Sequence, residues 1–594
     1  SGMNLQQIQR LIRRLVDSPL PRQFNRRAVI FLVVLLLFIF YFYIFQYSNP
    51  VSTPAEICVI GHFEEHSGKR VILNEENPVS FAGNGYIGLD VSSSGTFLLR
   101  MNQSSGFHKL PGFLPLVQLI TPNSEDKALK FVPDVHEGIS KAVRCSIISG
   151  HCVCVYEYVY AHRTRPNVLV QDIKFSNPSL SPVKIKFKRQ ISSDWEKHDG
   201  SNVPVYFRSL NLDNQQVNLA VICSSLPEDA VINQKREESF RFFCVLDHNV
   251  VGPDPVFSKR ELLARTIDKF SDVNSIHWSK VDVEHKDAWA KLNKAYFNIS
   301  SSKAPNALNT DLIELTKYLL LSSVRDPLLE KDPDPSAVAN SKALLGKNEL
   351  CYGGHSTMLT PSRLWQHWEN LDDVLNVINV WLLTLNTHGC MNLVKAGAHG
   401  VVQAFLLSLT SARFTHHYLE FSLDPVGDLH RSLHVEGLEY TLGSPITIDF
   451  DMDADLRPFI RIQGSSSYKS PIFACSGGCV DEAKKVTNTV IRLPIKITKP
   501  PTPILFISSD KNVLSGLKDT LHVIEVVDAP QHSVETISRH KHGENSGLPT
   551  AFWIILICLL VSFHIFLFKL LYSEWKNSNN MPYTKFSKKM LLRR

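Results

Sequence analysis

Apolar positions along this chain follow three different patterns, and the two longest apolar runs have no period at all. Ala28–Tyr47 is twenty residues without a charge, and Ala551–Tyr572 carries only His564 and Lys569. With a rise of 1.5 Å per residue, about twenty residues cross a hydrocarbon core ~30 Å thick, so each run is predicted to be a transmembrane helix. Between them, from about residue 57 to 250, short β-rich runs recur at roughly ten-residue intervals: Arg70-Val-Ile-Leu, Gly95-Thr-Phe-Leu-Leu, the stretch from Cys152 to Tyr160, that from Val168 to Phe175, and Val183-Lys-Ile-Lys-Phe-Lys. Several alternate polar with apolar, as antiparallel strands of a sandwich do. Helical spacing takes over from about 258 to 325, as in Arg260-Glu-Leu-Leu-Ala-Arg and in Asp311 to Leu321. Asp326 to Ser341, with three prolines, reads as an exposed loop. Helical spacing resumes from about Pro361 to Thr387 and from Val401 to Thr410, and strands return at Tyr418–Leu423, Ile446–Asp451, Phe459–Ile462 and Ile504–Ile507.

The expected fold is mainly β with α: a β-sandwich over 48–257, a short helical region over 258–412, and a β-sheet domain over 413–540. The outer parts are a basic N-terminus at 1–27, a span at 28–47, a linker at 541–550, a span at 551–572 and a tail at 573–594. No repeat array or low-complexity domain interrupts this order.

Charge then sets the orientation. Residues 1–27 hold six arginines against Asp17, and from Lys569 onward seven Lys and Arg face Glu574 alone. Lys and Arg in excess beside a span mark its cytosolic side, so both termini are expected in the cytosol and the central region in a lumen or outside the cell. A cleaved signal peptide fits the first run poorly, since its apolar stretch exceeds the usual ~7–15 residues and no small-residue cleavage site follows. The net charge of +6 comes from these flanks and calls for no nucleic-acid partner. Asn102-Gln-Ser and Asn298-Ile-Ser are glycosylation sequons, whereas Pro178 disqualifies Asn177. Cys558 lies in the second span; Cys58, Cys145, Cys152, Cys154, Cys223, Cys244, Cys351, Cys390, Cys475 and Cys479 lie between the spans, an even set that suits pairing in a secretory compartment. Cys475-Ser-Gly-Gly-Cys479 has no second ligand pair nearby and reads as a small disulfide loop before a zinc half-site. Cys152-Val-Cys154 is one residue short of the Cys-x-x-Cys redox spacing, so structural bridging is expected.

Candidate chemistry is sparse. Asp372-Asp373 could offer carboxylates to a glycosidic bond, but adjacent helical residues diverge by about 100° and read better as first-turn charge. His162-Arg-Thr-Arg165 could grip an anion through its guanidinium forks; a surface turn ending at Pro166 is the preferred reading. Asp449, Asp451, Asp453 and Asp455 alternate, so a strand would crowd four carboxylates on one face, which makes calcium the candidate cofactor, though the spacing is not that of an EF-hand. The alternative is a hairpin end projecting into water.

Several stretches, in order, resemble the family-65 glycoside hydrolases and phosphorylases, which include the maltose, trehalose and kojibiose phosphorylases. Gly83-Asn-Gly-Tyr-Ile-Gly88 after Val79-Ser-Phe-Ala looks like that family's early glycine-rich signature. His285-Lys-Asp-Ala-Trp289, Asn298-Ile and Leu312-Ile-Glu-Leu-Thr-Lys-Tyr-Leu-Leu are similar to its linker helices. Cys351-Tyr-Gly-Gly-His355 resembles the start of its helical barrel, and Gly397-Ala-His-Gly-Val-Val-Gln-Ala404, with the strands from near Arg413, its end and the C-terminal sheet domain. The whole chain also looks like a family of animal two-pass membrane proteins. The resemblance implies a catalytic barrel of about twelve helices, needing on the order of 200–350 residues at ~12 per helix plus loops. Fewer than fifty residues separate Cys351 from Gly397, and the family's Asp-Glu-Tyr-His type acid segment and phosphate-binding segment are absent.

Against that background no catalytic residue is assigned. The expected function is a non-catalytic glycoside-hydrolase-like module of the early secretory pathway that binds glycans or glycoproteins, or scaffolds a complex with other membrane subunits. The alternative is a divergent glycosidase or glycosyl-transferring enzyme with a rebuilt site. Arg13-Arg14 and Arg26-Arg27 resemble cytosolic retrieval signals, which favours the endoplasmic reticulum membrane over the Golgi or plasma membrane. Short loops close at low entropic cost, so Cys475 is expected with Cys479 and Cys145 with Cys154 or Cys152, the other of those two pairing with Cys58. Cys223 is placed with Cys244 on neighbouring strands, and Cys351 with Cys390 as a staple across the helical remnant.

Overall fold

The computed structural model describes residues 53–578 apart from 68–79, 93–94, 103–104, 121–126, 200–202, 353–355, 466–467, 469 and 544–549. The expected span Ala28–Tyr47 and the run Arg70-Val-Ile-Leu lie outside those residues. The described chain is mainly β with helices, in several sheets, and it ends in a long helix, Thr550–Ser578.

An eight-stranded antiparallel sheet dominates the first half. Its edge-to-edge order is Glu196–His198, Val205–Leu212, Gln215–Cys223, Arg236–Val250, Val168–Asn177, His151–Ala161, Ile139–Ile148, Lys127–Asp134. The central strands are buried on both faces, which is why Val168–Asn177 opens with four apolar or amide positions in a row instead of strict alternation. One face is covered by a four-stranded sheet over 81–109 and a three-stranded sheet of Phe113–Ile120, Val183–Ile191 and Asp229–Ile232. Ile87, Leu89, Phe97 and Phe113 meet Val159, Leu219 and Leu246, and Val183, Ile185 and Phe187 meet Ile173, Phe175 and Phe242. The other face packs on the helices Pro255–Ser275 and Trp278–Leu292 through Leu262, Val273, Phe270 and Trp278. The first of these starts where its sequence says it should: Asp254 accepts from the Val256 and Phe257 amides, with Pro255 in the first turn.

The C-terminal half is a sandwich of two five-stranded sheets. Leu433, Val435, Ile446, Ile448, Phe450, Ile460 and Ile462 of one share a core with Leu419, Phe421, Ala474, Leu505 and Ile507 of the other. The helices Thr310–Ser323 and Ala398–Leu409 lie against it and Leu371–Leu385 packs on those two; Ala398–Leu409 is buried nearly all round, as its nearly unbroken apolar sequence requires.

Three expectations are corrected. Residues 54–67, placed within the β-sandwich, form a helix, Pro54–Ser67, whose start is marked by Pro54 and Glu56. The Asp326–Ser341 loop ends early, because Asp334 caps and Pro335 opens the helix Pro335–Leu345, with the Ser336 amide donating to Asp334 at 3.0 Å. Tyr296–Ile299, placed with the helices, is an edge strand of the C-terminal sandwich, paired with Leu433–Thr441. Its partner lies more than a hundred residues ahead, which no local pattern can announce.

Among the described residues one helix is long and apolar enough to cross a membrane, over Phe552–Lys576, and its apolar surface is not packed against the rest of the chain. Trp553 lies near one end, beside Phe552, and Tyr572 and Trp575 near the other, as side chains with an apolar body and a polar edge do at the two interfaces of a bilayer.

Candidate functional site

Two of the stretches that carry the family resemblance, Gly83–Gly88 and His285–Trp289, meet at one buried junction around Arg163. Gly83–Gly88 forms the tight hairpin between Phe81–Gly83 and Ile87–Asp90. Gly85 has φ +85°, and a Cβ there would lie 2.0 Å from the Arg325 amide nitrogen, so only glycine lets the hairpin seat on the end of the helix Thr310–Ser323. Asn84 holds the turn with both ends of its amide: Oδ1 accepts from the Tyr86 and Ile87 amides, and Nδ2 donates to the His162 and Pro166 carbonyls at 3.0 and 2.9 Å.

His162-Arg-Thr-Arg165 is where sequence reasoning failed most. It is neither a surface turn nor an anion grip. Arg163 is 2 % exposed and donates to the carbonyls of Asn84, Leu321 and Val324, while Arg165 pairs with Asp272 at 2.9 Å and Glu284 at 3.1 Å. The guanidinium of Arg163 ties the glycine turn of the sandwich to the helical layer, and burial lowers its pKa to about 10. His285, from the second motif, is buried beside it: its Nδ1 accepts from the Arg163 amide and its Nε2 faces the Gly138 carbonyl at 3.2 Å. His162 has the same arrangement, with Nε2 on the Val281 carbonyl at 2.8 Å and Nδ1 accepting from the Arg165 amide at 3.1 Å. Both imidazoles are thus neutral Nε2–H tautomers with each nitrogen used. Burial lowers the pKa of His162 to about 4 and that of His285 well below the ordinary value. These residues tie the sandwich to the helical layer.

The helical layer is equally filled. Trp381 is wholly buried, its indole N–H on the Leu364 carbonyl at 2.9 Å, and its ring centroid lies 5.1 Å from that of Trp365 and 4.9 Å from that of Phe405. Asp372 pairs with Lys109 at 2.7 Å, and Asp373 forms a capping box with Asn370. His355, at the end of the stretch that begins at Cys351, lies outside the described residues. The acidic run does not converge either: Asp449 and Asp451 are in the strand Ser444–Met452, while Asp453 and Asp455 are in the following turn. Arg461 lies 2.9 Å from Asp451 and 3.4 Å from Asp449, His434 2.6 Å from Asp449, and Arg492 3.8 Å from Asp453. The positive charge that the repelling carboxylates require is supplied from neighbouring strands.

Five disulfides join Cys58 to Cys152, Cys145 to Cys154, Cys223 to Cys244, Cys351 to Cys390 and Cys475 to Cys479. Of the two partners open to Cys145, the facing residue in register, Cys154, is the one bonded. Asn102 is exposed, whereas Asn298 is half-buried on its edge strand, its Oδ1 accepting from the Thr310 hydroxyl at 2.5 Å.

A surface cavity large enough for a ligand lies elsewhere, on the C-terminal sandwich, with a volume of about 570 Å³. Arg413, Tyr418, Glu420, Asp424, Lys496 and Thr502 line it. Arg413 and Glu420 face each other across the pair of strands Ala412–Phe414 and Leu419–Phe421, and Arg413 Nε donates to Glu420 at 2.8 Å with a second contact from the same guanidinium. Glu420 is buried, so this pair presents a fixed polar floor. Tyr418 stands edge-on to Phe506 with centroids 5.5 Å apart and remains partly exposed at the rim; burial, with Glu420 nearby, raises its phenol pKa. Opposite, the Thr498 hydroxyl donates to the Pro500 carbonyl at 2.8 Å and lies 2.8 Å from the Thr502 hydroxyl. Sequence reading passed over these residues because Arg413 and Glu420 look like ordinary strand alternation; the one available signal was a charged residue at a strand position flanked by Leu419 and Phe421.

A profile of the family described as "Uncharacterized conserved protein (DUF2152)" matches residues 9–589. The chain is 29% identical over 528 residues to the "Uncharacterized protein KIAA2013 homolog" of Xenopus tropicalis, covering 85% of this chain and 84% of that one. It is 28% identical over 531 residues to the protein of the same name from Xenopus laevis, with the same coverage of 85% and 84%. Among solved structures it is similar to a "Putative kojibiose phosphorylase from human microbiome", with a TM-score of 0.34 and 10% identity, over 58% of this chain and 59% of that protein's length.

Proposed function

The chain belongs to the DUF2152 family, and from that premise we propose that it is a non-catalytic, glycan-binding membrane protein of the early secretory pathway. In this reading both termini are cytosolic, and the body between the two spans is lumenal and holds glycans or glycoproteins in the groove at Tyr418. The groove carries the proposal. A sugar offers hydroxyls that fit fixed, planar donor–acceptor pairs and C–H faces that fit an aromatic ring, and the Arg413–Glu420 pair beside Tyr418 provides both within one cavity. The packing of Trp365, Trp381 and Phe405 supports the non-catalytic half of the reading, since these aromatic side chains fill the interior of the helical layer. The aromatic-flanked helix Thr550–Ser578, followed by a Lys- and Arg-rich tail, supports the membrane topology.

The test uses the full-length protein in detergent micelles, titrated with α-linked glucosides and glucose-capped N-glycan oligosaccharides. Binding is read by calorimetry and turnover by product release. Binding that weakens at least tenfold in Tyr418→Ala and Glu420→Gln, both with unchanged melting behaviour, is the expected result. Affinity unchanged by either substitution would remove the groove from the account. Turnover abolished by changing a single Asp or Glu would replace the reading with the divergent-enzyme one.

A further inference from the structure

Four sulfurs that form two disulfides lie packed against one another where the helix Pro54–Ser67 meets the large sheet. Cys58 of the helix is bonded to Cys152, and Cys154, two residues on in the same strand, is bonded to Cys145 on the neighbouring strand. The Cys154 sulfur is 3.5 Å from that of Cys152 and 3.8 Å from that of Cys58, so it touches both sulfurs of the other bond. Burial divides the two bonds. Cys145 and Cys154 are enclosed among Val59, Phe63, Val132 and Tyr156, whereas Cys58 and Cys152 are partly exposed. A reagent from solution therefore meets the outer bond first, and the inner bond can be reached only through it.

We propose that this cluster is a thiol–disulfide exchange relay whose substrate is a dithiol, a small molecule or a protein with a paired-cysteine site. Exchange proceeds by attack of a thiolate on a disulfide sulfur, and reacting atoms held at about 3–3.5 Å need little further approach. A thiolate of the dithiol attacks the Cys58 sulfur, forming a mixed disulfide and releasing the Cys152 thiolate. Cys152 attacks the Cys154 sulfur 3.5 Å away; the Cys152–Cys154 bond forms, the Cys145–Cys154 bond breaks, and Cys145 leaves as a thiolate that takes up a proton. The second thiol of the dithiol resolves the mixed disulfide and leaves Cys58 as a thiol. The dithiol has lost two electrons and two hydrogens, and the protein has gained two thiols, at Cys58 and Cys145. The consequence is mechanical: the helix Pro54–Ser67 loses its covalent tie to the sheet, and the new bond within one strand keeps Cys152 from restoring it.

The experiment treats the full-length protein in detergent with one molar equivalent of dithiothreitol, quenches with acid, alkylates the free thiols, and locates them by peptide mapping after a second, distinguishable alkylation. Label at Cys58 and Cys145 in near-equal amounts, with Cys152 and Cys154 protected, is the expected result. Label at Cys58 and Cys152 with Cys145 protected would overturn the relay. So would one zinc per chain in the protein as purified with Cys58, Cys152 and Cys154 already alkylatable, because these sulfurs and a His62 ring nitrogen lie within 4.8 Å of one another and would then be metal ligands. The double variant Cys145→Ala/Cys154→Ala removes the acceptor and should move the second label to Cys152. If that variant does not fold, a time course of early quenches of the unaltered protein decides: Cys145 label that rises together with Cys58 label supports the relay, and Cys145 label that appears only after Cys58 and Cys152 are both labelled contradicts it.

Discussion

Protonation of the buried histidine pair should make this protein lose stability in mild acid. In the folded chain His162 is enclosed with both ring nitrogens used, and the nitrogen that would take a second proton already accepts from the Arg165 amide. Burial is the largest cause that holds its pKa down, with the Arg165 charge acting in the same direction and Glu284 and Asp282 opposing; the result is about 4. In the unfolded chain the value returns to about 6.5. Between those two values the unfolded state binds more protons, so stability falls as the pH drops through that window, and the loss is complete below it. At about 1.4 kcal/mol per tenfold, the window is worth about 3 kcal/mol for His162 alone, and His285, whose pKa is lowered by burial and by His162 beside it, adds to the loss. Carboxylates titrate over part of the same range, so the measurement is a comparison. Guanidinium unfolding of full-length protein and of His162→Gln, followed by tryptophan fluorescence at pH 7, 6, 5 and 4, cancels the shared groups. The unaltered protein should lose about 3 kcal/mol more than the variant between pH 7 and pH 4. Parallel profiles would show that His162 titrates in the folded chain as it does in the unfolded one and would refute the argument from burial.

Trp381→Ala, at a fully buried side chain in the middle of the helical layer, should cost about 3–5 kcal/mol in denaturant unfolding with little change in slope. Gly85→Ala, which drives a methyl against the Arg325 and Val324 backbone, should abolish accumulation of folded protein, whereas Gly150→Ala, also at positive φ but with nothing within 4 Å, should cost only ~1 kcal/mol by the same melting assay. Removing Asn102 by Asn102→Gln should shift mobility on a gel by one glycan's worth, while Asn298→Gln should shift it less or not at all, because the Asn298 side chain is bonded to Thr310 on its strand; equal shifts would show that glycans are added before that strand forms.

Local patterns determined a good deal of this protein. Apolar length alone marks Thr550–Ser578 as able to cross a membrane, and the spacing of Asp311–Leu321 or the near-continuous apolar stretch at Ala398–Leu409 marks helices, because both properties depend on neighbours within a few residues. Two misses were also local: Pro54 and the Asp334-Pro335 pair announce helix starts that the proline count of the second segment obscured. Tertiary structure decided the rest. Whether His162-Arg-Thr-Arg165 faces water or a core depends on the helices Trp278–Leu292 and Thr310–Ser323 arriving over it from more than a hundred residues away. The acidic run from Asp449 looked like a site for a cation because its own sequence contains no counter-charge; Arg461 and Arg492 arrive only with strand pairing. The groove at Tyr418 and the sulfur cluster at Cys154 are likewise products of approach between distant strands and helices. Periodicity records which face of an element is buried, but only the fold decides what that face meets, and the chemistry of every site here lies in that meeting.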